Sequence, residues 1–134
     1  MNIFSHIVST PAPPASLIGY LSDVHNLPEW ATEFCQGLKT RGDGTVIAVT
    51  PMGEMPIRTE ACHHTGVVDM ITTMDGMDDT LHTRVTPVPG GSAWTVSFLQ
   101  APGLPDDVYA GQCESLKKEM ANVARLFENT AVAG

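Results

Sequence analysis

At 134 residues, with 43% apolar and 16% charged residues, the chain has the size and composition of one globular domain with a single core. Its formal net charge is -8, and its seven Lys and Arg residues form no cluster. Nucleic-acid binding and docking on anionic lipid both need concentrated positive charge, so both are excluded.

Residues 2–9 alternate, with Ile3, Ser5, Ile7 and Ser9 on one face and Phe4, His6 and Val8 on the other, which predicts a strand. The segment has neither the basic nor the apolar region of a signal peptide, and no apolar run approaches the roughly 20 residues of a membrane span. A soluble, cytoplasmic protein without membrane insertion is therefore expected. Thr10-Pro11-Ala12-Pro13-Pro14 ends the strand and opens a short helix, with Leu17, Leu21 and Val24 facing the core. A second short helix starts near Asn26, with Pro28 and Glu29 in its first turn and Trp30 and Phe34 as anchors.

From residue 37 to 100, Thr and Val become frequent and turn signals recur. Gly42-Asp43-Gly44, Pro51-Met52-Gly53, Pro89-Gly90-Gly91 and the acidic Asp75-Gly76-Met77-Asp78-Asp79 read as turns. Between them lie strands near 45–50, 55–63, 66–74, 80–88 and 92–100, with a weaker one near 36–41. Strands joined by short turns make an antiparallel meander. Tyr109, Cys113, Leu116, Met120, Val123 and Phe127 then follow the spacing of one long helical stripe over residues 105–128. Such a stripe needs an equally long apolar surface, and the inner face of the sheet is the candidate.

The fold class is thus α+β: six to seven antiparallel strands curved around a C-terminal helix, with two short helices after the first strand. The order resembles the START-related superfamily, also called SRPBCC or polyketide cyclase/dehydrase-like, with its birch-pollen-allergen-like helix-grip fold. The residues that carry the resemblance are Ile7 to Pro14, Tyr20-Leu21-Ser22-Asp23, Asn26-Leu27-Pro28-Glu29-Trp30, Gly66-Val67-Val68-Asp69, Arg84-Val85-Thr86-Pro87, Gly91-Ser92 and Ala101-Pro102-Gly103. The likeness spans nearly the whole chain, and the Gly66, Arg84 and Gly91 motifs look like the meander of bacterial members. It implies a cavity between sheet and helix and a small hydrophobic ligand of lipid, polyketide or aromatic type. It carries over no catalytic residue, because the superfamily shares no catalytic motif.

Strand alternation supplies the candidate lining. Trp94, Val96 and Phe98 point inward on the last strand, as do Leu81, Thr83 and Val85 before it, sending His82 and Arg84 outward. Ile57, Thr59, Ala61 and His63 share an inner face, leaving Arg58, Glu60, Cys62 and His64 outside. On strand 66–74, Val67, Asp69 and Ile71 compete with Val68, Met70 and Thr72 for the inner face. With Trp30, Phe34, Tyr109, Leu116 and Met120, the expected ligand-binding set is Ile57, Thr59, Met70, Trp94, Val96 and Phe98. Trp30 either walls the cavity mouth or fills the core. The seven methionines suit an adaptable pocket or an ordinary core.

His63 and Asp69 flank a tight turn. Facing inward together, they would form an acid–base pair for a cyclase or dehydratase. Facing outward, His63 ends a strand and Asp69 caps backbone. Arg84 either clamps a ligand carboxylate or, the favoured reading, pairs with Glu60 on the outer face. Adjacent His63 and His64 point to opposite faces, and the aspartates near residue 75 lack calcium-loop spacing, so no metal and no cofactor is expected. The odd set Cys35, Cys62 and Cys113 reads as reduced and mostly buried. Ligand binding ranks first, the enzyme second, and a stress-response or interaction domain without ligand third. The chain is expected to act as a monomer or homodimer.

Overall fold

The computed structural model describes residues 1–133, and their side chains through Glu128. Seven strands form one antiparallel sheet in the order β1-β7-β6-β5-β4-β3-β2. They are β1 (Ile3–Thr10), β2 (Gly37–Thr40), β3 (Val46–Thr50), β4 (Gly53–Ala61), β5 (Val67–Met74), β6 (Met77–Val88) and β7 (Gly91–Leu99). Two short helices, α1 (Pro14–Ser22) and α2 (Leu27–Trp30), follow β1, and α3 (Asp106–Ala133) closes the chain. The meander places each strand beside its sequence neighbour. Only β1 crosses over, pairing along its whole length with β7, from Ile3 opposite Leu99 to Thr10 opposite Ser92.

Pro14 starts α1, where a missing N–H costs nothing, and the helix buries Leu17, Ile18 and Leu21. The Asp23 carboxylate accepts the His25 backbone N–H and opens a 3-10 turn, Val24–Asn26, that leads into α2. The second short helix is briefer than its sequence pattern suggests. It ends at Trp30 because Ala31 leaves helical geometry, so Phe34 lies in the turn beyond it. The acidic hairpin is also tighter than expected. Asp75 and Gly76 alone make the turn, both with positive φ, and Asp78 and Asp79 belong to β6.

Aspartates 106 and 107 occupy the first turn of α3, where the helix dipole favours negative charge. The helix buries the expected stripe of Tyr109, Cys113, Leu116, Met120 and Val123, with Phe127 half-buried against the same core. Across from it lie Val68, Met70, Val85, Trp94 and Val96 from the sheet, with Leu17, Ile18 and Leu21 of α1 completing one hydrophobic cluster.

Candidate functional site

The register settles the inner face. Trp94 stands opposite Val8 and Val85, Val96 opposite His6 and Thr83, and Met70 opposite Leu81 and Thr59. Ile57 lies opposite Thr72 on the same side, and Phe98 opposite Phe4. Trp30 packs edge-on against Trp94, with ring centroids 5.4 Å apart. Leu116 and Met120 meet them from α3. The structure therefore brings Trp30, Ile57, Met70, Trp94, Val96, Leu116 and Met120 into one apolar assembly.

Phe34, Leu38, Val46, Leu81 and Phe98 pack on that assembly and remain half-buried. They mark where the apolar concave side reaches the surface. Thr59, also half-buried, donates its hydroxyl to the Ser22 carbonyl and ties β4 to the end of α1. Tyr109 holds the opposite end: its hydroxyl donates to the Phe98 carbonyl over 2.5 Å, and its ring tilts against Phe98. Both hydroxyls thus serve the scaffold first. Trp30, at 2% exposure, belongs to the core and not to an open mouth.

His63 and Asp69 do not form an inward-facing pair. β4 ends at Ala61, and residues 62–66 form a turn in which Gly66 N–H donates to the Cys62 carbonyl. His63 is carried out of the strand alternation and is exposed. Asp69 stands on the outer face, opposite Glu60 and His82, with the His82 ring 3.6 Å from its carboxylate. Val68 and Met70 take the inner positions because the sheet buries its most apolar alternation against α1 and α3. Arg84 is also outside, as expected, but Glu60 is not its partner. Its guanidinium donates to the Thr65 carbonyl over 3.1 Å, while Glu60 lies 3.8 Å from Arg58. Arg58 is bound more closely by Asp78, at 3.0 Å. Cys62 is exposed, unlike buried Cys35 and Cys113, and the hydroxyl of Thr65 holds its thiol below the ordinary pKa.

Glu119 was not anticipated. It is 5% exposed on α3, next to Met120, and one carboxylate oxygen accepts the backbone N–H groups of Glu33 and Phe34 at 3.2 and 3.0 Å. Burial lifts its pKa to about 7 against the pull of those two donors. One turn on, Asn122 donates to the Trp30 carbonyl at 3.0 Å. Together they bind the segment after α2 to the helix. The sequence signal was available, since Glu119 stands three residues after Leu116 and four before Val123, on the flank of the buried stripe.

Two depressions mark the surface. One of about 430 Å³ is lined by Glu29, Thr32, Asn122, Arg125 and Leu126. The other, about 310 Å³, lies between the N-terminus and the β7–α3 loop. Neither is lined by a core residue.

The whole backbone arrangement recurs in solved structures. The Aha1 dimer from Colwellia psychrerythraea matches with a TM-score of 0.73 at 12% identity, over 96% of this chain and 97% of that one. A START superfamily protein from Mycobacterium smegmatis matches with a TM-score of 0.64 at 15% identity, over 92% and 97%. Ara h 8.0201 matches with a TM-score of 0.57 at 21% identity, over 99% of both chains. The chain has an SRPBCC-like, helix-grip fold. No protein-family profile and no curated protein sequence matches it. The helix-grip fold therefore rests on structure, with sequence identities to those neighbours of 12%, 15% and 21%. In helix-grip terms, β1 and β7 lie at one side of the grip, and the end of α2 reaches the middle of α3. Among the described residues no helix is long and apolar enough to cross a membrane, and no group of three His, Cys, Asp or Glu side chains is placed to hold a metal ion.

Proposed function

We propose that this helix-grip chain binds a small, largely apolar molecule between the concave face of its sheet and α3. One observation carries the reading: the inner face holds more apolar side chains than α1 and α3 cover, leaving Leu38, Val46, Leu81 and Phe98 half-buried, with Phe34 of the turn after α2, around one continuous cluster. Apolar surface held on a rigid concave scaffold is what a small hydrophobic ligand needs. Met70 and Met120 at its centre can change rotamer to admit one, because an unbranched thioether adapts at low cost. The likeness in fold to a START superfamily protein agrees with this reading.

The chain purified from its native host and sprayed under native conditions should carry an extra apolar mass. The refolded, delipidated chain should raise the emission of the neutral dye N-phenyl-1-naphthylamine saturably. A bare mass together with no saturable dye signal would defeat the proposal. The same spectra read out whether the working state is a monomer or a homodimer.

A further inference from the structure

Trp30 and Trp94 are 2% and 0% exposed, and the indole N–H of each lacks a hydrogen-bond partner among the described residues. They are the only tryptophans of the chain. Burying such a donor without an acceptor costs about 1–3 kcal/mol, and buried polar groups in native proteins are nearly always paired. The rings meet edge to face at 83°. In that geometry one ring offers its edge to the other's face, so a contact with the π-cloud serves at most one of the two N–H groups. The fold thus holds two neutral donors, on adjacent side chains, in the middle of its apolar assembly.

We infer that the ligand is an uncharged molecule with an apolar body and a carbonyl-type oxygen, and that this oxygen accepts hydrogen bonds from the indoles of Trp30 and Trp94. The inference rests on the binding site proposed above and names its ligand class. A carbonyl oxygen has two lone pairs, so one such atom has the capacity for both donors. The charge distribution separates a ketone or ester from a carboxylate. Among the described residues no Lys or Arg is buried, and Lys117, half-buried on α3, is already engaged with Glu114 at 3.0 Å and with the ring of Phe4. Glu119, the one buried ionisable carboxyl among the described residues, supplies no positive charge there, and the net charge of -8 disfavours an anion. An anion buried without a cation is strongly disfavoured, whereas a neutral carbonyl loses little when it exchanges water for two indole donors.

The test is a titration of the ¹⁵N-labelled chain with methyl decanoate, decanoate and decane, which share one apolar chain. Two indole cross-peaks are expected, assigned with Trp30→Phe and Trp94→Phe. The ester should bind more tightly than either companion and move both cross-peaks downfield in the proton dimension. Each Phe variant should weaken ester binding by roughly 2- to 10-fold more than it weakens decane binding, as for one lost hydrogen bond. If ester and decane bind alike while the indole signals stay in place, as they would with a trapped water on the donors, the inference fails and the apolar site stands. Tighter binding of decanoate overturns the neutral class. If none of the three binds, the site itself is lost along with the inference. The wild-type cross-peaks decide the matter even if a variant does not fold.

Discussion

Ser92 donates its hydroxyl to the carbonyl oxygen of Ala12 over 2.7 Å, and both residues are wholly buried. This bond fixes the crossover that brings α1 back from β1 beside β7. Ser92→Ala leaves the Ala12 oxygen without that partner, so urea unfolding should show a loss of about 1–3 kcal/mol. Gly66 is a second fixed point. Its φ is +82°, and a Cβ there would stand 2.0 Å from the Val85 carbonyl oxygen. Gly66→Ala should cost more than about 2 kcal/mol, since both the backbone conformation and the close approach oppose a side chain. Glu119 is the residue whose effect depends on pH. Its carboxyl moves from 4.5 to about 7 on folding, mainly through burial. Between those values the folded chain keeps a proton that the unfolded chain has released. The associated stability is therefore full below 4.5 and disappears as pH rises through 7, by about 3 kcal/mol at most. Urea midpoints measured across that window should fall with rising pH in the native chain. In Glu119→Gln they should stay level, because the amide oxygen keeps an acceptor for the Glu33 and Phe34 N–H groups without the charge. At this scale the sequence was least legible. A glutamate beside a helical stripe and a serine opening a strand do not declare their partners, which are set by contacts 86 and 80 residues away.

The elements themselves were largely readable. The spacing of Tyr109 to Phe127 announced α3, because a stripe of that length has no other use than burial. Met120 on it is fully buried, at 0% exposure. Met120→Ala should lower the unfolding free energy by about 2–5 kcal/mol, measurable by thermal or urea melts. The meander was readable from its Gly-containing turns and Val/Thr strands. The misplaced site came from one strand end. Alternation counted through His63 puts that side chain inside, but the chain turns after Ala61, and one or two residues of error at a strand end reverse which face is assigned. Asp69 suffered from a related ambiguity, since β5 has apolar residues on both faces. Ile71 is buried on the outer side, opposite Arg58, so hydrophobicity alone did not choose.

For the whole molecule, the order strand, two short helices, six strands and long helix was enough to reach the helix-grip fold, and the structure bears it out. The sequence did not show how the interior is divided between core and site. Trp30 and Trp94 lie within the one buried cluster, and Phe34, Leu38 and Leu81 pack half-buried against it. The methionines divide between the interior and the outside. Met70 and Met120 lie in the core, whereas Met52, Met74 and Met77 are exposed. Labelling the methionine methyl groups with ¹³C and adding methyl decanoate therefore tests the central claim within one spectrum. The account predicts saturable shifts of the Met70 and Met120 methyl signals, with those of Met52, Met74 and Met77 unmoved. Shifts confined to the exposed methionines, or none at saturating ligand, would contradict it.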